Sequence, residues 1–192
     1  MKKAFLILVA FVLSLSFSSG IRAEEAVVWE GFEEGEVNWT PVDWENVGQV
    51  ELSLSQDQVS EGEYCLKVDM LEEAIDWKNK VTFSREDYIN LEGAKIKLDV
   101  YCPYAFGISV AVALDTSGDW TYYEAPSKPM KKGWNKDVTF DLSLKNFKTR
   151  ESNWKHTEEV KNLDDVRKIH LMVYRPSKME VQTVYIDNIR FE

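Results

Sequence analysis

The segment Val166–Tyr174, VRKIHLMVY, and the closing segment Val181–Phe191, VQTVYIDNIRF, decide how this 192-residue chain is read. In the first, Ile169, Leu171 and Val173 recur at every second position; in the second, Val184 and Ile186 alternate with polar neighbours, the signature of strands with one buried face. The phase of the closing segment slips at Asp187-Asn188, because the next apolar positions, Ile189 and Phe191, fall on the opposite parity. A strand that changes face in this way carries a β-bulge. An unpaired carboxylate buried at a bulge would be costly, so Asp187 is either a metal ligand or a clasp that accepts incoming backbone N–H groups. The chain ends one residue after Phe191, and this strand is expected to close the domain.

Outward from these two strands, apolar alternation recurs every 8–12 residues, with turn signals such as Glu61-Gly62, Glu92-Gly93, Ser117-Gly118 and Lys132-Gly133 between. That spacing predicts an all-β, two-sheet antiparallel sandwich. The expected strands are Ala26–Phe32, Gln49–Leu54, Tyr64–Met70, Trp77–Phe83, Ala94–Tyr101, Gly107–Leu114, Trp120–Glu124, Asp137–Leu142, Val166–Tyr174 and Val181–Phe191. Residues Glu158–Arg167 allow a turn or two of helix at most. Neither linker nor repeat interrupts the pattern.

At the N-terminus, Lys2 and Lys3 precede an apolar run from Ala4 to Phe17, followed by Ser18, Ser19, Gly20 and Ala23. This is the charged, apolar and small-residue succession of a secretory signal peptide, too short for a comfortable membrane span. The expected domains are therefore a signal peptide, 1–23, and a single secreted sandwich, 24–192. Removing the leader takes away Lys2, Lys3 and Arg22 and no acid, so the formal charge of −10 becomes −13. Such acidity argues against nucleic acid and against an anionic membrane surface as partners. The two cysteines, Cys65 and Cys102, sit on opposite parities: Leu66, Val68 and Met70 turn Cys65 outward, whereas Ile96, Leu98 and Val100 turn Cys102 inward. Parity thus argues against a disulfide, although a register shift would reverse the argument.

The phrases GFEEGEVNW, VSEGEYCLKVDM, KIKLDVYCP, KKGWNKDVTFDL, NLDDVRKIHLMVY and VYIDNIRF, in that order, resemble the carbohydrate-binding modules with a galactose-binding-like jelly roll that accompany bacterial glycoside hydrolases. The mannan-binding family 27 and glucan-binding family 11 modules are nearest in look, and the resemblance spans nearly all of residues 24–192. It implies a secreted, non-catalytic polysaccharide binder. It also implies a structural calcium between the opening segment and the last strand. The matching acids here are Glu30, Glu33, Glu61 and Asp187, with Gly31 where many relatives carry an acid.

Seven tryptophans and eight tyrosines are the richest signal in the chain itself. Pyranose rings stack on flat aromatic side chains, and their rim hydroxyls seek carboxylates, amides, Lys or Arg in the same plane. In SGDWTYYEA, a strand would place Trp120, Tyr122 and Glu124 on one face and Tyr123 and Ala125 on the other. Trp77, in the polar phrase IDWKNKV with Lys78 beside it, is a second stacking candidate, and Trp154, in the loop TRESNWKHT, a third. For each ring the alternative is core packing. Trp134 is expected to cap the core and Trp29 to be buried, while Trp39 and Trp44 have no assignment. Arg175 and Lys178, beside Pro176, either hydrogen-bond sugar hydroxyls or are solvated.

The chain has no HExxH, no GxSxG and no Cys/His arrangement, so the parts of a metalloprotease or a nucleophilic hydrolase are missing. A glycosidase needs two carboxylates about 5–9.5 Å apart across a cleft. Glu33-Glu34-Glu36 reads as a turn and Asp164-Asp165 as a strand lead-in, so no phrase supplies that pair. The expectation is a binder of β-linked mannan or glucan. The alternatives are a small jelly-roll hydrolase or lyase, and a protein-binding adhesion domain whose aromatics would form a flat hydrophobic patch.

Overall fold

The computed structural model describes residues 27–44, 49–71, 79–104, 107–175 and 182–192. In chain order the strands are β1 (Val27–Glu30), β2 (Thr40–Pro41), β3 (Val50–Ser55), β4 (Cys65–Met70), β5 (Lys80–Ile89), β6 (Lys95–Cys102), β7 (Ser109–Thr116), β8 (Thr121–Glu124), β9 (Lys128–Pro129), β10 (Gly133–Asp141), β11 (Val166–Tyr174) and β12 (Gln182–Phe191). A 3-10 turn, Leu163–Asp165, leads into β11. All pairings are antiparallel, in two six-stranded sheets. The first runs β10-β6-β12-β4-β3, with β1 on β12. The second runs β2-β5-β11-β7-β8, with β9 on β7.

The core lies between the inner faces. Leu66, Val68 and Met70, Ile96, Leu98 and Val100, and Val184, Ile186 and Ile189 come from the first sheet. Facing them from the second are Val81 and Phe83, Val110, Val112 and Leu114, and Ile169, Leu171 and Val173. Each triplet occupies alternate positions of its strand, as period two requires, and the single exception is Ile189. There β12 slips its register against β6 between the pairs Asp187–Asp99 and Arg190–Lys97, and Asn188 takes a left-handed φ of 49°. The expected bulge is present, and it returns Ile189 to the core while leaving Asp187 on the outer face.

All ten expected strands form. Two short edge pieces, β2 and β9, were not legible, since two residues carry no period. The fifth strand differs most from expectation: it begins at Lys80 rather than Trp77 and runs six residues beyond Phe83, through SREDYI, where charged side chains hide the alternation. Trp77 and Lys78 lie outside the described residues, as does Lys178.

Both cysteines are free and buried. Cys102 points into the core. Cys65 faces outward as its parity demands, but the turn after β3 covers it, and its Sγ lies 3.1 Å from the Asp57 carbonyl oxygen. The two thiols therefore stand on opposite sides of one sheet. Burial pushes the Cys65 thiol up to about 12, with Asp187 and Asp57 adding to the effect.

Candidate functional site

Alternation gives the second sheet an outer face as well as an inner one. Opposed across its strands are Glu86, Lys168, Asp115 and Tyr122, in the order β5-β11-β7-β8. The next row is Thr40, Ser84, His170, Ala113 and Glu124, from β2 to β8. A third holds Thr82, Met172 and Ala111, and a fourth Lys80, Tyr174 and Ser109. The two alanines and Met172 are buried although they face outward, because Tyr122 and Tyr174 pack over them. Small side chains on β7 thus leave room that two tyrosine rings fill.

Glu124 fixes those rings. It is 3% exposed and accepts hydrogen bonds from the Tyr174 hydroxyl at 2.8 Å and the Tyr122 hydroxyl at 3.2 Å. Lys148 Nζ stands 2.7 Å from the same carboxylate. The backbone of Lys148 exchanges both hydrogen bonds with that of Glu124, which brings the ammonium to its partner. Glu124 was expected to orient sugar hydroxyls directly. Its oxygens are instead committed to protein donors, so it orients the aromatic rings.

Trp154 completes this end. The Ser152 hydroxyl lies within its own loop 3.0 Å from Thr149 O and 2.8 Å from Lys155 O, its one proton serving either, and Trp154 N closes on Thr149 O at 3.0 Å. The loop so built sets the Trp154 ring edge-on to Tyr122, centroids 6.2 Å apart, with the indole 55% exposed. Trp120 precedes β8 instead of belonging to it, in a left-handed conformation (φ 57°). Its ring is 40% exposed and lies 5.1 Å from Lys168 Nζ, which faces outward on this same sheet. Of the seven expected sugar contacts, Trp120, Tyr122, Glu124 and Trp154 therefore gather at one end of one face.

The other end contains residues that the sequence left unassigned. A depression of about 730 Å³ opens between β2 and the centre of the sheet, lined by Thr40, Trp44, Ser84, Glu86, Lys168 and His170 among others. Trp44 is 58% exposed at its rim. His170, in the centre of the face, pairs its Nε2 with Asp115 Oδ2 at 2.9 Å and sits edge-on to Tyr122 at 5.5 Å. Its signal was present in the sequence, since it shares parity with Lys168, Met172 and Tyr174 and opposes the core triplet of β11.

Three expectations are corrected. Arg175 follows Tyr174 and turns to the inner side, where it is buried and donates to Met70 O at 3.4 Å and Leu71 O at 3.2 Å. Burial lowers its pKa, and it ties the end of β4 to β11 instead of reaching the outer face. Trp134 does not cap the core: it is half-buried on the outer face of the first sheet, edge-on to Tyr101. Trp29 is half-buried, stacked on Phe191 at 5.2 Å and donating from Nε1 to Asp87 at 2.9 Å, whereas Trp39 lies fully in the core.

Each of the four acids matched to calcium is engaged by protein donors. Glu30 pairs with Arg85 and accepts the Phe32 N–H, and Glu33 accepts the Glu63 and Tyr64 N–H groups at 2.9 and 3.0 Å. Asp187 accepts backbone N–H groups from Ser60, Glu61 and Asn188 at 2.7, 3.1 and 2.7 Å. Glu61 accepts from the Asn188 amide. Among the described residues no three His, Cys, Asp or Glu side chains converge as a metal cage. As placed, these carboxylates hold protein donors, and the geometry around Asp187 is that of a clasp holding the Ser60–Glu61 turn to β12.

No family model matches the chain, and no curated protein matches it in sequence. Its fold is similar to that of a carbohydrate-binding module specific for non-crystalline cellulose, from family 28. That match is 14% identical over 88% of this chain and 95% of the other, with TM-score 0.61. It is also similar to the family 11 carbohydrate-binding module of the cellulosomal cellulase Lic26A-Cel5E of Clostridium thermocellum, at 14% identity, 86% and 93% coverage and TM-score 0.59. A structure of the family 11 module from the same organism with a β-1,3-1,4-mixed-linked tetrasaccharide gives 15% identity, the same coverages and TM-score 0.58. At such identities the likeness is one of fold: the all-β sandwich is that of carbohydrate-binding modules, as the ordered phrases of the sequence implied.

Proposed function

We propose that this chain is a secreted polysaccharide-binding module that takes a neutral β-linked mannan or glucan along the outer face of its second sheet, without chemistry on it. The observation that carries this reading is the Glu124-anchored pair of Tyr122 and exposed Trp154, continued across the same face to Trp44. From β2 to β8 the face spans four inter-strand steps of about 4.8 Å, roughly 19 Å. That is room for a chain interior several rings long. Trp154, Trp120 and Trp44 offer stacking surfaces, while Lys168, Ser84 and Glu86 offer hydrogen bonds to rim hydroxyls. The fold neighbours support the class of ligand, since their own subjects are cellulose and a mixed-linked glucan.

The test is affinity gel electrophoresis of the folded protein in glucomannan, galactomannan, mixed-linked β-glucan, xylan and a blank gel. We expect retardation by a mannan or a glucan. Trp154→Ala should weaken it at least tenfold, equivalent to about 1.4 kcal/mol, with an unchanged melting curve because that ring is exposed. Absence of retardation in every gel sinks the proposal in favour of a protein-binding surface, and release of reducing sugar from any polysaccharide would replace it by an enzyme.

A further inference from the structure

The first sheet also has an outer face, and its composition is unusual. Its outward residues, among them Ser53, Lys67, Asp69, Lys97, Thr139 and Thr183, are polar or charged, as a solvated sheet face should be. Three aromatic residues break that pattern, and they stand directly opposite one another on adjacent strands. Trp134 of β10 opposes Tyr101 of β6, and Tyr101 opposes Tyr185 of β12. Ring centroids are 5.5 Å apart for the first pair and 6.1 Å for the second, and both contacts are edge-to-face. All three rings are half-buried, and none belongs to either hydrophobic cluster of the protein.

Core formation therefore does not explain them. Aromatic side chains bury 150–250 Å² each when they are used for stability; these stand half-buried on the outer face, outside both hydrophobic clusters. The row continues onto polar groups: Tyr185 opposes Lys67, which pairs with Asp69 at 2.7 Å, and Asp69 accepts the Thr183 hydroxyl. At the other end Lys136 Nζ lies 5.6 Å from the Trp134 ring centroid. The rings hold each other in place, so little side-chain freedom remains to be lost on binding.

We infer that the Trp134–Tyr101–Tyr185 row is a second carbohydrate-binding site, on the opposite side of the sandwich from the groove, for the flat face of a neutral pyranose chain. An island of aromatics in a polar field matches a ligand with apolar ring faces and hydroxyl edges; a protein partner of comparable affinity would ask for a broader apolar patch. The charge of −10 disfavours polyanionic ligands. This inference shares its ligand class with the proposed groove but rests on different residues. Two sites on opposite faces would let one molecule bridge two polysaccharide chains.

The experiment pairs a groove variant with a row variant. Trp154→Ala, Trp134→Ala, Tyr185→Ser and the Trp154→Ala/Trp134→Ala double variant are run in the same polysaccharide gels, with thermal melts to confirm folding. In parallel, the 15N-indole resonances of the unaltered protein and of Trp154→Ala are followed during titration with oligosaccharides of the panel. The expected result is residual retardation of Trp154→Ala, at least tenfold weaker than that of the unaltered protein, abolished by adding Trp134→Ala. A saturable shift of the Trp134 indole should accompany it. A folded Trp154→Ala protein with no retardation and a still Trp134 resonance overturns the second site while leaving the groove intact. Loss of retardation by the unaltered protein would remove the groove, and the Trp134 indole then decides the row alone: unmoved, it falls too. A dimer that Trp134→Ala converts to monomer overturns the inference in favour of self-association.

Discussion

Replacing Glu124 by alanine removes the carboxylate that accepts from three donors: the hydroxyls of Tyr122 and Tyr174 and the ammonium of Lys148. Hydrogen bonds to a charged group contribute about 1.5–3 kcal/mol each, and deleting one partner of a buried ion pair costs about 3–5 kcal/mol. Lys148 retains 22% of its side-chain exposure and can turn to water, and so can phenols at a groove wall. The lower end therefore applies, about 3 kcal/mol for Glu124→Ala and about 1–2 kcal/mol for Glu124→Gln, which keeps the volume and one acceptor. For a domain of this size that is roughly 6–12 °C in Tm for the alanine variant. Urea titration at constant m-value supplies the free energies, and a double-mutant cycle with Lys148→Met should return a coupling of about 1–2 kcal/mol. Glycan affinity should fall with stability, because Tyr122 supports Trp154. A Glu124→Ala protein that melts within about 1 °C of the unaltered one, or a cycle with coupling near zero, would refute the anchoring role.

Three further outcomes are expected. Burial raises the Asp187 pKa above its ordinary 3.8, against the opposing pull of the Ser60, Glu61 and Asn188 N–H groups. A raised native value means that its contribution is complete below the unfolded value and is lost as pH rises through the native one. The stability gap between the unaltered protein and Asp187→Asn should therefore narrow as pH rises above the unfolded value, and urea titrations showing it widen would contradict the assignment. The native protein should leave a thiol-disulfide reagent unreacted at pH 8 and yield both thiols in denaturant, since Cys65 is pushed up to about 12 and Cys102 is raised by burial; one fast thiol in the native state would be the contrary result. Chelation should leave Tm unmoved, because the Asp187 and Glu33 carboxylates already hold backbone N–H groups; an ion at a hundred times its Kd would contribute about 2.7 kcal/mol, so a fall of several degrees on adding EDTA would restore calcium to the clasp.

The sandwich was legible because its signal is repeated: every central strand buries every second residue, and even the phase slip at Asp187 marks a bulge that the structure contains. The groove was half legible. Tyr122 and Glu124 share a strand face by parity, and Trp154 stood in a loop between confident strands. What parity does not supply is which outward residues meet across strands. His170 meets Asp115 and Ala113 only through the register of β11 with β7, a contact between segments some fifty residues apart. Trp44 comes to the groove through β2, a two-residue strand without a period. Arg175 was misread for a related reason: beside Pro176 it resembled a solvated turn residue, but the one-residue step from Tyr174 sent it inward.

The two outer faces differ in where they place their large side chains, and that difference sets what each can hold. On the second sheet Tyr122 of β8 and Tyr174 of the middle strand β11 fill the space over Ala111 and Ala113 of β7, and the depression lies on the other side of His170, between it and Trp44 at the β2 edge. On the first sheet the rings occupy the adjoining strands β10, β6 and β12 without small residues between them, while the Ser60 turn clasped by Asp187 rises beside them. A depression flanked by rings makes a trough that can surround a flexible chain. Rings side by side on neighbouring strands make a ridge on which a chain can only lie flat. The same alternation that builds one core thus leaves two outer surfaces free to diverge, and a single substitution pattern, small against large on the outward positions, decides which of them becomes a groove.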